Sequence, residues 1–110
     1  MSAGGGPVNP SPTQLRVTSF AGSEWNGVQV TWHAAGYQGP VLIRGRQVGG
    51  PAAVGFGEGH TPYDELQLLG KAMGAPPGEW PSFTRVQAPG CYAYQVDGTS
   101  FSKVIVFRAT

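Results

Sequence analysis

Between Gly27 and Ala34 the chain reads GVQVTWHA. On an extended backbone Val28, Val30 and Trp32 fall on one side and Gln29, Thr31 and His33 on the other, the period of two that a half-buried β-strand imposes. The pattern returns in short runs. TQLRVTSF sets Leu15 and Val17 against Gln14, Arg16 and Thr18, VLIRGRQV puts Val41 and Ile43 on its apolar side, and SFTRVQ, CYAYQV and FSKVIVF follow towards the end. No sustained helical period competes with it. The 18 glycines and 10 prolines are used in turns and in one long N-terminal stretch. About seven short strands at this spacing predict an all-β protein, an immunoglobulin-like antiparallel β-sandwich of Greek-key type. A small barrel uses the same strands and is the alternative topology.

A quarter of the chain being glycine and proline would suit a disordered segment, but three Trp, four Tyr and five Phe do not. A length of 110 residues is that of one domain. The start, MSAGGGPVNPSP, reads as a flexible linker over residues 1–12, with the folded domain over 13–110. It shows no basic region followed by an apolar run, so no signal peptide is expected. A tether of this kind fits an extracytoplasmic or secreted domain released from a leader or lipid anchor. Seven Lys and Arg against six Asp and Glu give a net charge of +1, too little basic surface for nucleic acid. No apolar run approaches the roughly 18 residues of a membrane span. A single cysteine, Cys91, makes no internal disulfide and does not fix the compartment.

The middle is less regular. AVGFG reads as a short strand carrying Val54 and Phe56. DELQLLG fits either a strand, with Leu66 and Leu68 alternating against Glu65 and Gln67, or a helix capped by Thr61 with Leu66, Leu69 and Met73 on one face. The strand is preferred because Gly70 would sit inside the helix. GAPPGEWP reads as a loop, and Gly45 as a bulge or a place of close backbone approach. The loop GEGHTPYDE gathers Glu58, His60, Asp64 and Glu65. A polar turn-rich loop is the simpler reading; a cation site or a small hydrolase built on Glu58, His60 and Asp64 is the sharper one.

The final hairpin, turning at Asp97-Gly98, decides what Cys91 is for. Tyr92, Tyr94 and Val96 form the natural core face of its first strand, leaving Cys91, Ala93 and Gln95 opposite. Val104 and Val106 are assigned with the tyrosines to the core. Phe101, Ile105 and Phe107 form a second apolar face, near Cys91, that the segment from about residue 49 to 81 or a partner protein would cover. Tyr92, just after Pro89-Gly90, is placed to make a tyrosine corner, its hydroxyl bonding to backbone a few residues upstream. No base is implied beside Cys91, no zinc-type ligand pair occurs, and no His follows it to complete a copper loop. The expectation is a buried, inert thiol, with no cofactor and no metal.

The segment WPSFTRVQAPGCYAYQVDGTSFSKVIVF, with Gly90-Cys91-Tyr92 at its centre, resembles the C-terminal part of bacterial extracytoplasmic domains, often lipoproteins, that carry a Gly-Cys-Trp or Gly-Cys-Tyr motif on the penultimate strand. GPVLIRGRQVGG is similar to their middle strand, so the resemblance spans about the last 70 residues. It implies an immunoglobulin-like module of the cell envelope and brings no catalytic residue.

The function expected from these observations is a non-enzymatic binding or structural module recognising a protein or a surface glycan. Candidate ligand-binding residues are Trp25, Tyr37, His60 and Tyr63, which lie in or beside loops where aromatic rings can stack on sugars or peptides. The expected core is Val28, Val30, Trp32, Ile43, Tyr92, Tyr94, Val96, Val104 and Val106. Trp80 is read as packing, His33 as surface, and Arg44 and Arg46 as a solvated face or cross-strand partners of acids. The alternatives are the hydrolase on Glu58, His60 and Asp64, and a surface subunit that self-associates through an edge strand.

Overall fold

The structure is a computed structural model and describes residues 8–20, 22–34, 39–68 and 78–110. Its strands are β1 (Val8–Ser11), β2 (Gln14–Leu15), β3 (Asn26–Ala34), β4 (Val41–Gln47), β5 (Gly55–Phe56), β6 (Leu66–Leu68), β7 (Glu79–Val86), β8 (Gly90–Asp97) and β9 (Ser102–Ala109), with no helix among the described residues. They form a four-stranded sheet, β1-β3-β7-β5, packed on a five-stranded sheet, β2-β9-β8-β4-β6. Among the described residues β2 with β9 is the one parallel pair; the other pairings are antiparallel. The protein is an all-β sandwich.

The alternation read from the sequence aims the core. Val30 and Trp32 of β3, Val41 and Ile43 of β4 and Tyr92, Tyr94 and Val96 of β8 are buried between the sheets, and Val28 packs half-buried at the margin. Tyr94 joins the two layers. Its ring stacks on Phe107 of the larger sheet at 4.2 Å between centroids and meets Trp32 of the smaller sheet edge-on at 4.9 Å. Its hydroxyl and Thr84 Oγ1, both buried, share a hydrogen bond of 2.8 Å, which keeps either oxygen from being left unpaired inside the sandwich.

Val104 and Val106 are not in this core. Both are more than half exposed, while Ile105 and Phe107 are buried. The register explains the exchange: Tyr92 stands opposite Phe107, and Tyr94 opposite Ile105. Four residues separate the strands. Any even-numbered hairpin loop pairs even positions with odd ones, so the tyrosines share their face with Ile105 and Phe107. β-Branched character alone does not reveal this.

The folded part begins earlier than Thr13. Val8–Ser11 pairs along β3, with Val8 opposite Ala34, and Val8 and Pro10 are buried. β1 is the sheet edge, where proline's missing N–H is tolerated. Proline also enters β7, which reaches back through the expected GEWP loop to Glu79. Trp80 lies opposite Trp32 and packs on the core, whereas Pro81 sits where β5, paired only at Thr84 and Arg85, does not reach.

The segment of mixed reading crosses the sandwich. β5 joins the smaller sheet and β6 the larger, so Leu66–Leu68 is strand. Leu69, Gly70 and Met73 of the rival helix lie outside the described residues. Val54 and Phe56 are buried as expected. Gly45 is a place of close approach: a Cβ there would come within 2.7 Å of Val54 Cβ.

Tyr92 Oη donates to the Ala88 carbonyl at 2.7 Å, closing the turn into β8, while its ring stacks on Phe107. Tyr92→Phe keeps the ring and loses only this bond. Stability is expected to fall by about 1 kcal/mol, read as a lower urea midpoint at unchanged slope.

Candidate functional site

Thr84 and Arg85 are neighbours on β7, so their side chains leave opposite faces of the sheet. Thr84 enters the core. Arg85 leaves it, yet is fully buried. The cover comes from two loops, the one before β3 and the one after β5. On the sheet Arg85 is flanked by two glycines, Gly27 on β3 and Gly55 on β5. A Cβ on Gly27 would lie 2.6 Å from Arg85 Cδ and 2.8 Å from the Phe20 ring. The bare backbone lets the side chain lie flat, with its guanidinium 4.0 Å from the centre of the Phe20 ring, a cation–π contact.

The guanidinium uses all its N–H groups. Nε donates to the Trp25 carbonyl at 3.2 Å, and Nη1 to the carbonyls of Gly57 at 2.8 Å and Gly59 at 2.6 Å. Nη2 donates to the Trp25 carbonyl at 2.9 Å and to Ser23 Oγ at 3.2 Å. Ser23 ties the loops again: its hydroxyl donates to the His60 carbonyl at 2.7 Å and accepts from the Trp25 N–H at 3.1 Å. At the loop base Phe56 and Tyr63 exchange two backbone hydrogen bonds of 2.8 and 2.9 Å. Gln87 also donates to the Glu24 carboxylate.

Among the described residues no carboxylate pairs with Arg85; the one ion pair is Arg44 with Asp97, on the opposite sheet. Burial lowers the Arg85 pKa from its ordinary value, but a guanidinium keeps its charge in proteins. A positive charge is therefore held by three carbonyls, one hydroxyl and one aromatic face. The GEGHTPYDE loop gives two backbone carbonyls, Gly57 and Gly59, to this internal cation, and its acidic side chains and His60 are not among the acceptors.

This decides where the loop's side chains go. With the Gly57 and Gly59 carbonyls turned inward, Glu58 and His60 are exposed, as are Asp64 and Glu65. Gly57, at φ +96°, supplies the left-handed turn. Glu58 borders a shallow concavity with Gln29 and Ser82, and Asp64 another with Tyr63 and Gln67. Among the described residues no group of three His, Cys, Asp or Glu is placed to hold a metal ion.

Of the aromatic candidates, Trp25 and His60 are tied to one end of the sandwich through Ser23 and Arg85; Trp25 is half-buried and His60 exposed. Tyr63 stands at the loop base, 73% exposed, next to Gly57. Tyr37 lies outside the described residues. Arg85, Ser23, Phe20 and Gly27 were not legible as a unit, since a loop carbonyl carries no residue-type signature.

Cys91 is exposed, not buried. It lies on the outer face of the larger sheet, opposite Arg108 and in line with Ala93 and Gln95. Ellman's reagent should therefore label Cys91 in the native protein almost as fast as in the unfolded chain. Labelling that waits for denaturant would contradict this placement.

Comparison with protein-family models, curated proteins and solved structures gives no match.

Proposed function

We propose that the protein is a non-enzymatic binding module, an immunoglobulin-like extracytoplasmic domain that recognises a protein or a surface glycan with the loops at the Arg85 end of its sandwich. The observation that carries this reading is the buried guanidinium, which fastens two loops to a rigid sheet and leaves Glu58 and His60 exposed and Trp25 half-exposed. Loops held on a rigid scaffold are the usual carriers of recognition, and preorganised loops lose less entropy on binding. The strand orders β1-β3-β7-β5 and β2-β9-β8-β4-β6, with the Tyr92 corner, support the immunoglobulin-like assignment. The Gly90-Cys91-Tyr92 resemblance supports a cell-envelope location. A hydrolase on Glu58, His60 and Asp64 has less support, because Glu58 and Asp64 border different concavities.

The test is binding of the full chain to an array of cell-envelope glycans and to envelope proteins, with Trp25→Ala and His60→Ala alongside. Arg85 and Ser23 hold the carbonyls of these residues, not their rings, so both variants should fold. Binding that both variants weaken supports the tip. Binding that neither changes removes the tip as the recognition surface.

A further inference from the structure

The outer face of the five-stranded sheet carries exposed apolar side chains that the fold does not use. It sets Val48, Val104 and Val106, each more than half exposed, around Cys91 and half-buried Ala93. Register places Ala93 between Val106 and Arg46, and Gln95 between Val104 and Arg44. Side chains on one face of adjacent strands are neighbours, so this is a contiguous apolar strip edged by arginine. Asp97 holds Arg44 at 3.3 Å, whereas Arg46 and Arg108 form no ion pair among the described residues.

The strip runs into a concavity of about 790 Å³ lined by Arg44, Arg46, Ala93, Val104, Pro51 and Asp64. Asp64 belongs to the acidic side of the same region. Asp64 also lines a second concavity with Glu65 and Tyr63, the most exposed large apolar side chain described, and Asp64 forms no ion pair among the described residues. The first concavity therefore offers arginine and valine, and the second, adjoining it through Asp64, offers carboxylate and an exposed aromatic ring. The two carry complementary chemistry, and Asp64 and Arg46 form no ion pair among the described residues.

We infer that this face docks a second copy of the chain as a two-fold dimer, with Tyr63 and its flanking carboxylates from each copy seated on the arginine-edged valine strip of the other. A two-fold axis brings each surface onto its complement and buries both at once. The charges select the partner and the register, while the valines and Tyr63 supply the area removed from water. This surface is separate from the Trp25 and His60 tip and does not depend on what the tip binds.

The test is sedimentation velocity on the full chain in reductant, from micromolar to near-millimolar concentration, at low and high salt. A dimer that salt weakens is expected. Val104→Lys and Arg46→Glu each alter an exposed side chain and should fold, as thermal melts will check. Each is expected to weaken dimerisation about tenfold or more, and Asp64→Lys added to Arg46→Glu should restore much of the loss. A monomer at every concentration overturns the inference and leaves the face to a foreign partner. So does a dimer that Val104→Lys leaves intact, or one that forms only without reductant through a Cys91 disulfide.

Discussion

Arg85→Met should lower the stability of the protein by about 3–4 kcal/mol, a large share of what a domain of this size possesses. Replacing a buried charge by a hydrophobic residue is often harmless when its partners are replaced too. Here they cannot be. Three acceptors are the backbone carbonyls of Trp25, Gly57 and Gly59, and they stay when the guanidinium goes. Each must find water or remain unpaired, at about 1–3 kcal/mol for a group that stays buried. The Phe20 contact is lost with them. Arg85→Lys keeps the charge but not the planar fork, and should lose about half as much. Urea unfolding reads both; a loss below about 1 kcal/mol for Arg85→Met would show that the loops are held by something else.

Tyr94→Ala should be comparably severe, at about 4 kcal/mol. The ring packs on Trp32, Phe56 and Phe107 and so touches both sheets. No single neighbour can collapse into the space it leaves. Tyr94→Phe removes only the hydroxyl and strands Thr84 Oγ1 in the core, at about 1–2 kcal/mol. Adding Thr84→Val to Tyr94→Phe should recover part of that loss, since neither hydroxyl is then left alone. The same pair gives a pH signature. Burial pushes the Tyr94 phenol well above its ordinary value, and the Thr84 hydrogen bond offsets this only in part. The folded protein thus keeps a proton that the unfolded chain releases above about pH 10. The stability from this group is whole below that pH and declines as pH rises above it. Tyr94→Phe should flatten the alkaline limb of the stability curve; an unchanged limb would mean that other groups set it.

The core of the larger sheet was half legible. Tyr92, Tyr94 and Val96 announce their face by alternation with Cys91, Ala93 and Gln95, but the returning strand carries apolar residues on both faces. Composition cannot choose between Val104/Val106 and Ile105/Phe107; pairing across the loop can, and it places the valines and Cys91 outside. The strands at Val8–Ser11 and Glu79–Pro81 were hidden by prolines that sheet edges tolerate. The clamp was hidden more deeply. Ser23 and Arg85 are 62 residues apart, and most of the contacts between the loops and Arg85 are to backbone oxygen. In SFTRVQ the arginine looks like the solvated member of an alternating strand, and only the loops folded over it make it otherwise.

The central claim is that an internal cation makes the loop end of this sandwich a rigid surface. Amide hydrogen exchange of the unmodified protein tests it most directly at Ser23, Trp25 and Gly57. These N–H groups bond to the Phe20 carbonyl, Ser23 Oγ and the Phe83 carbonyl. If Arg85 fastens the loops, these amides exchange only through openings nearly as rare as global unfolding, alongside those of β8. Exchange at the rate of a freely exposed loop, with β8 still protected, would contradict the account.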